Sequence, residues 1–212
     1  MESKQFILDR FAALKSVCDR YNNVTCLAVS KRQDNEKVKW LYEVGHRDFA
    51  ESYFQEWEEK QQLLPEDIRW HFVGQIQSRK VKLLCEHGIQ SIHSLGSASS
   101  LSKWMSVLDK PEGPNFLQLN LEGEEQKGGL SLEELDQFKD LGVIENIDGF
   151  MTIPPKSLSG KSLSDHFKKM RQLCDSHDLK YLSMGMSSDW EIALAEGATH
   201  IRVGTGIFGE RA

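Results

Sequence analysis

The segment LAVSK, residues 27 to 31, is an apolar run that ends on a lysine. Such a run is typical of a buried strand, and a lysine at its end is either a solvated terminus or a nucleophile. An amine in a protected position loses its proton more readily than a solvated one and attacks aldehydes to form an imine. Lys31 is therefore the first candidate for chemistry.

Two segments near the C-terminus have the composition of anion-binding loops. They are MGMSSD, which begins at Met184, and RVGTGIFG, which begins at Arg202. Backbone N–H groups in such loops, together with the partial positive charge at a helix N-terminus, bind phosphate. Gly204 and Thr205 are candidates for this role in the second loop, and a plain turn is the alternative for the same residues.

The two serines of MGMSSD have different predicted roles. Ser188 stands three residues before Glu191, a spacing that predicts a capping box for a helix beginning near Asp189. That role leaves the hydroxyl of Ser187 available to a ligand. The alternative is that both serines only terminate the strand and cap the helix.

Arg202 lies inside HIRVG, a stretch predicted to be a packed strand. A buried guanidinium requires an acceptor, and both a structural ion pair and a ligand contact satisfy this requirement. An amine at Lys31 and a separate phosphate-binding site match the aldehyde and the phosphate of pyridoxal 5'-phosphate, respectively. An arginine beside its pyridine nitrogen keeps that nitrogen unprotonated, so Arg202 fits cofactor binding better than demanding carbanion chemistry.

Strand-like and helix-like segments alternate along the chain and must position these residues. The strand-like segments begin at Val24, His46, Ile68, Gln90, Asn115, Ile147, Tyr181 and His200. Helical segments separate them, and a further one precedes the first strand. This alternation predicts a (β/α)8 TIM-type barrel with an extra N-terminal helix, as one domain over residues 1–212; an open doubly wound sheet is the alternative. In such barrels the active site lies at the C-terminal ends of the strands.

Composition limits the classes of partner. The chain has 212 residues and is 39% hydrophobic, which is enough for one sizeable core, and its net charge of −6 argues against nucleic acid or an anionic membrane as a partner. It contains no apolar stretch of the roughly 18 to 20 residues that cross a bilayer, and its N-terminus lacks a secretory layout, so we expect a cytoplasmic protein. The four cysteines have no zinc-binding spacing and are expected to be reduced packing residues, and no metal is expected.

Six motifs follow one another over nearly the whole chain: LAVSK, FAESYFQE, WHFVGQIQSRK, LQLNLEGEEQKGG, GFMTIPP and LSMGMSSDWEIALAEGATHIRVGTGIFG. In this order they resemble the pyridoxal phosphate homeostasis protein family, the single-domain relatives of the alanine racemase N-terminal barrel. The resemblance implies a barrel that holds pyridoxal 5'-phosphate as an imine on Lys31. It further implies phosphate contacts from Ser187, Gly204 and Thr205, a pyridine-nitrogen contact from Arg202, and a phosphate approach lined by Met184 and Gly185.

The chain departs from the family pattern beside the expected cofactor. Ala50 and Ser52 stand where glycine and asparagine are usual, so Ser52 offers a hydroxyl in place of a side-chain amide. Gln75 and Arg79 stand where proline and asparagine are usual.

Two further residues have open interpretations. His71 either lies against the cofactor ring or is a packed strand histidine. Lys127 is either a solvated loop residue or a secondary amine that reacts with the cofactor aldehyde or takes part in its transfer.

The resemblance implies a monomeric carrier that buffers pyridoxal 5'-phosphate and exchanges it with other proteins, including cofactor-dependent apo-enzymes, without substantial catalysis. One alternative is an amino-acid racemase with Lys31 as one base. Two-base racemisation needs a second group, which alanine racemases take from an additional domain and a dimer partner; the sequence ends at FGERA soon after the eighth strand, so we expect no such domain here. Another alternative is a barrel enzyme acting on a phosphorylated metabolite without a cofactor.

Overall fold

The computed structural model describes residues 2–124 and 128–210. Within these residues, eight parallel strands form one sheet in the order β4-β3-β2-β1-β8-β7-β6-β5. The strands are β1 Thr25–Val29, β2 Asp48–Glu51, β3 Arg69–Phe72, β4 Ser91–Ile92, β5 Phe116–Leu119, β6 Gly149–Thr152, β7 Tyr181–Met186 and β8 His200–Val203.

The sheet curls until its two ends meet. Leu95, just beyond β4, forms a parallel bridge with Leu117 of β5. Its N–H donates to the carbonyl of Phe116 over 3.3 Å, and its own carbonyl accepts from the N–H of Gln118 over 2.9 Å. The sheet is therefore a nearly closed barrel, so the predicted fold is confirmed and the open-sheet alternative is wrong.

Helices surround the barrel in the described part of the chain. They are α1 Lys4–Cys18, α2 Asn35–Glu43, α3 Phe54–Leu63, α4 Ser78–Glu86, α5 Ala98–Met105, α6 Leu132–Asp140, α7 Gly160–Ser176, α8 Trp190–Ala195 and α9 Thr205–Phe208, with a short 3-10 helix at Ile144–Asn146. The predicted N-terminal helix is α1, which begins after Ser3 because the Ser3 hydroxyl accepts a hydrogen bond from the N–H of Phe6. None of these helices is both long and apolar enough to cross a membrane.

Alternation along β1 separates the barrel interior from the helix-covered face. Cys26 and Ala28 belong to the large apolar core beneath the helices, whereas Leu27 and Val29 form a small separate cluster with Ala50 of β2. Because side chains alternate with a period of two along a strand, the residue in phase with Leu27 and Val29 after the strand end is Lys31. The pattern of the strand thus directs Lys31 toward the interior end of the barrel.

Candidate functional site

A cavity of about 510 Å³ opens at the C-terminal ends of the strands. Its lining includes six of the nine predicted site residues: Lys31, Ser52, Ser187, Arg202, Gly204 and Thr205. The others that line it are Val29, Val73, Ile153, Lys156, Met186 and Ser188. The size falls within the range of cofactor and metabolite pockets, which is roughly 300 to 1,000 Å³.

The loop after β8 and the loop after β7 meet at one side of this cavity. The Ser187 hydroxyl accepts hydrogen bonds from the backbone N–H groups of Gly204, over 3.2 Å, and Gly206, over 3.0 Å. Convergent main-chain donors beside a hydroxyl are a common arrangement for binding a phosphate group. The two loops predicted to bind an anion are therefore brought together.

The helix after β7 begins differently from the prediction. Its N-cap residue is Asp189, whose carboxylate accepts a hydrogen bond from the Met186 N–H over 2.6 Å. Ser188 instead donates from its hydroxyl to Asp189 over 3.4 Å. The predicted capping box of Ser188 and Glu191 is therefore wrong, because the aspartate carboxylate closes the turn onto the end of β7 and moves the helix start one residue along.

Arg202 projects from β8 into the barrel and is 5% exposed. Its Nη1 donates to the Ser183 hydroxyl over 2.7 Å, and its Nη2 donates to the Thr152 carbonyl over 2.8 Å. No carboxylate of the described chain forms an ion pair with it, so the structural ion pair is not the arrangement observed. Burial lowers the pKa of Arg202 to about 10, and the Asp189 carboxylate opposes this shift. Arg202 therefore stays charged at neutral pH.

Electrostatically the cavity favours anions. Its lining contains three cationic side chains, those of Lys31, Lys156 and Arg202, and no carboxylate among the residues that the structure describes. Interactions with these cations are strengthened because the cavity is partly shielded from water. Sequence reasoning missed Lys156; its signal is its place four residues after the end of β6, at the same rim as the other strand-end residues.

Three of the predicted site residues lie away from the cavity lining. Met184 is fully buried in the core. Gly185 has φ +92°, and a Cβ there would lie 2.6 Å from the Ala193 Cβ, so this glycine permits close packing of α8 on β7. Instead of these two residues, Met186 lines the cavity.

His71 is the third, and it lies in the barrel interior at 3% exposure. Its Nδ1 is 3.1 Å from His93 Nε2, and its Nε2 is 3.3 Å from Asp48 Oδ1, at the opposite end of the barrel. His93 in turn lies 2.8 Å from the Ser183 hydroxyl. This position matches the packed strand histidine of the two interpretations. A contact between His71 and a ligand stays a prediction.

The residues that depart from the family pattern form a neighbouring pocket. Gln75 and Arg79 line a space of about 210 Å³ that shares Ser52 with the main cavity, whereas Ala50 is buried beside Leu27 and Val29. Lys127 lies outside the described residues. Of the cysteines, Cys18, Cys26 and Cys174 are buried and Cys85 is partly buried, and none of the four is in a disulfide. They are the free, largely packing residues that the sequence predicts.

Solved structures similar to this chain include PipY of Synechococcus elongatus. The form without pyridoxal phosphate has a TM-score of 0.84 and 32% identity over 96% of this chain and all of that chain. The form with the cofactor bound has a TM-score of 0.82. The alanine racemase of Bartonella henselae has a TM-score of 0.78 at 17% identity and shares the fold, with 60% of its chain covered.

Sequence comparisons identify the family. The profile of the alanine racemase N-terminal domain matches residues 6–212. The pyridoxal phosphate homeostasis protein of Schizosaccharomyces pombe is 36% identical over 89% of this chain and 85% of its own length. That of Escherichia coli K12 is 32% identical over 97% of this chain and 94% of its own length. The chain therefore belongs to the pyridoxal phosphate homeostasis protein family, within the larger family of alanine racemase N-terminal barrels.

Proposed function

We propose that this protein binds pyridoxal 5'-phosphate in the cavity, holds it as an imine on Lys31, and takes part in intracellular vitamin B6 homeostasis. The observation that carries the proposal is that Lys31 lines the same cavity of about 510 Å³ as the predicted phosphate-binding residues Ser187, Gly204 and Thr205. When bound, the cofactor supplies an aldehyde that condenses reversibly with a primary amine and releases water.

Each end of the cavity has a separate role in this proposal. Lys31 supplies the amine at the end of β1. The Ser187 hydroxyl, which accepts from the N–H groups of Gly204 and Gly206, would donate to the phosphate, with Gly204 and Thr205 beside it in the cavity lining. Arg202 would donate to the ring nitrogen, and its guanidinium is already oriented by its bonds to Ser183 and Thr152.

We further propose that the protein is a carrier without substantial catalysis. Racemisation by two bases needs a second acid or base opposite Lys31. In the described lining of the cavity there is no histidine, tyrosine, cysteine or carboxylate side chain, and the titratable groups besides Lys31 are Lys156 and Arg202. Exchange of the cofactor with apo-enzymes, by a monomer in the cytoplasm, completes the proposal.

Imine spectroscopy tests the cofactor site. The purified protein mixed with pyridoxal 5'-phosphate should develop imine absorbance, and borohydride should fix the adduct on Lys31, as mapped by mass spectrometry. Lys31→Ala should abolish both signals. Lys156→Ala is the matched control, because it removes the other lysine of the same cavity and should keep the imine band. Absence of the band in the parent protein would refute the proposal and favour an enzyme that uses no cofactor.

A separate assay tests the absence of catalysis. Single-enantiomer amino acids are incubated with the loaded protein in deuterated water, and optical rotation and exchange of the α-hydrogen are followed. We expect exchange no faster than with free pyridoxal 5'-phosphate. Robust turnover that is lost in Lys31→Ala would establish the racemase alternative instead.

A further inference from the structure

Lys31 lies on a turn that is held from beneath by a buried network of charges. The residue before it, Ser30, is fully buried, and the residue after it, Arg32, has φ +56°. A residue other than glycine in this left-handed region is strained, and it keeps that conformation only when surrounding contacts fix it. The Gln33 N–H closes the turn by donating to the Ser30 carbonyl over 3.0 Å, and further contacts that fix the turn come from β2 and α3.

Lys60 of α3 is the centre of the network. Its Nζ donates to the Ser30 carbonyl over 2.6 Å, to Glu51 Oε1 over 2.8 Å and to Glu56 Oε1 over 2.8 Å. An ammonium group has three N–H donors, so these three acceptors satisfy all of them. The positive charge of Lys60 is therefore fully engaged directly below the turn that carries Lys31.

The two carboxylates connect Lys60 to both sides of the turn. Glu51 accepts a second hydrogen bond from the Ser30 hydroxyl over 2.6 Å, and Glu56 accepts one from the Arg32 N–H over 2.5 Å. The residues immediately before and after Lys31 are thus bonded to the same network. Within the network, Glu56 is the group that bonds to Arg32, and its hydrogen bond from the Arg32 N–H lies next to the strained φ angle.

Burying these charged side chains costs free energy of desolvation. The side chains of Glu51 and Lys60 are 0% and 5% exposed. Burial raises the pKa of Glu51, and the charge of Lys60 and the hydrogen bonds from Lys60 and Ser30 oppose that shift. An apolar pair of similar volume is often at least as stable as a buried ion pair, so stability alone does not account for this pair, and the geometry of the turn that it holds is the role we consider.

We propose that Lys60, acting with Glu51 and Glu56, is a positioning residue for Lys31: the network fixes the turn so that the Lys31 amine meets the aldehyde of its ligand in a reactive orientation. This inference rests on the proposed function. In the step, Lys31 Nζ bonds to the aldehyde carbon, and the aldehyde oxygen leaves as water with the two protons of the amine. Glu51, Glu56 and Lys60 are not among the residues that line the cavity.

Separate measurements of anchoring and reaction test the inference. Imine formation with pyridoxal 5'-phosphate is followed by stopped-flow absorbance. Anchoring is followed by calorimetric titration with pyridoxine 5'-phosphate, which has the same ring and phosphate but an alcohol in place of the aldehyde. A misplaced reacting group slows a step by about tenfold to a hundredfold without weakening contacts made elsewhere.

The variants are Lys60→Met, which removes the ammonium, and Glu56→Ala, which removes the acceptor of the Arg32 N–H but leaves the Glu51–Lys60 pair intact. Each should slow imine formation about tenfold or more while the affinity for pyridoxine 5'-phosphate stays within about twofold. Glu59→Ala, an exposed carboxylate on the same helix, is the matched control and should leave both measurements unchanged.

The possible outcomes are distinguishable. If Lys60→Met does not fold, the partly exposed Glu56 still gives a decisive result through its own variant. Imine formation at the parental rate in folded Glu56→Ala would overturn the inference. An equal loss of pyridoxine 5'-phosphate affinity would also overturn it, since that indicates general damage to the cavity. A parent protein that forms no imine would refute the proposed function instead.

Discussion

Arg202 Nη1 donates a hydrogen bond to the Ser183 hydroxyl on the neighbouring strand over 2.7 Å, and this bond is one end of a series of hydrogen bonds that runs through His93 and His71 to Asp48. Asp48 is ionised, since its hydrogen bonds to Arg69 and His71 and the charges of both lower its pKa against the effect of burial. His71 must therefore donate to it from Nε2 and, when neutral, accept at Nδ1 from His93 Nε2. His93 then accepts at Nδ1 from the Ser183 hydroxyl, so every donor in the series has an acceptor.

Removal of the Ser183 hydroxyl should interrupt this series of hydrogen bonds. Ser183→Ala leaves one N–H of Arg202 and Nδ1 of His93 without their partner in a buried setting, so the free energy of unfolding should fall by about 1 to 3 kcal/mol. Ser94→Ala is the matched control, because the buried Ser94 hydroxyl has no hydrogen-bond partner among the described residues. Urea denaturation of both variants gives the comparison. Equal losses of unfolding free energy in the two variants would contradict the assigned hydrogen bonds.

Acid sensitivity should arise from buried neutral histidines. Burial lowers the pKa of His46 to about 4 from its ordinary value of 6.5. Between these two values the unfolded state binds more protons than the folded state, so stability falls as pH decreases, by about 1 kcal/mol per pH unit for this residue.

The variant His46→Gln tests this pH dependence. Glutamine does not titrate and keeps an N–H that can donate to the Asp48 carbonyl, the partner of His46 Nε2 at 2.8 Å. Between pH 6 and pH 5, the loss of unfolding free energy should be smaller in the variant than in the parent by about 1 kcal/mol. Other buried groups contribute equally to both proteins. Urea denaturation at the two pH values gives the slopes, and identical slopes would contradict a neutral His46.

The strands and the residues at the cavity rim could be predicted from the sequence because each depends on a local sequence pattern. Buried parallel strands appear as short apolar runs, and their ends locate residues such as Lys31 and Ser187. A helix between the fourth and fifth strands was predicted without an assigned segment, since Ala98–Met105 is rich in serine and its capping box pairs Ser97 with Ser100 in place of a glutamate or glutamine.

Contacts between distant segments were not accessible from sequence pattern. Lys60 lies in the polar run EEKQQ and has the pattern of a solvated helix face, yet it is 4% exposed and bonds to a carbonyl thirty residues earlier. The acceptors of Arg202 likewise come from β6 and β7, and it is the order of strands in the sheet that places β7 beside β8 and β6 next to β7. Ser188 fits a capping box in sequence, but the helix begins one residue later, after Asp189, whose carboxylate accepts from the Met186 N–H instead of capping the helix.

Gly74 should be required for the position of Ser52 beside the cavity. A Cβ at residue 74 would lie 2.0 Å from the Ser52 carbonyl oxygen, which is backbone and must move to make room. Gly74→Ala should therefore cost about 1 to 3 kcal/mol of unfolding free energy. At Gly128 the nearest atom would be 3.7 Å away, so Gly128→Ala is the matched control with a change of about 0.5 kcal/mol or less. Comparable losses in thermal or urea denaturation would contradict the close approach.

The two adjacent serines of the cavity should differ in their effect on phosphate binding. The Ser187 hydroxyl lies against the N–H groups of Gly204 and Gly206, whereas the Ser188 hydroxyl donates to Asp189. A hydrogen bond to a charged group contributes about 1.5 to 3 kcal/mol, so Ser187→Ala should weaken pyridoxal 5'-phosphate binding by about tenfold or more, and Ser188→Ala by much less.

Pyridoxal, which has the aldehyde but no phosphate, separates this effect from damage to the amine end of the cavity. Its affinity should be the same in Ser187→Ala, Ser188→Ala and the parent, because the lost hydroxyl has no phosphate to bind. Titration of each protein with both aldehydes, followed by imine absorbance, gives the affinities. The contrary result is that Ser187→Ala reduces the affinity for pyridoxal as much as the affinity for the phosphorylated form. That result would place the defect at the Lys31 end of the cavity and contradict the assignment of Ser187 to the phosphate.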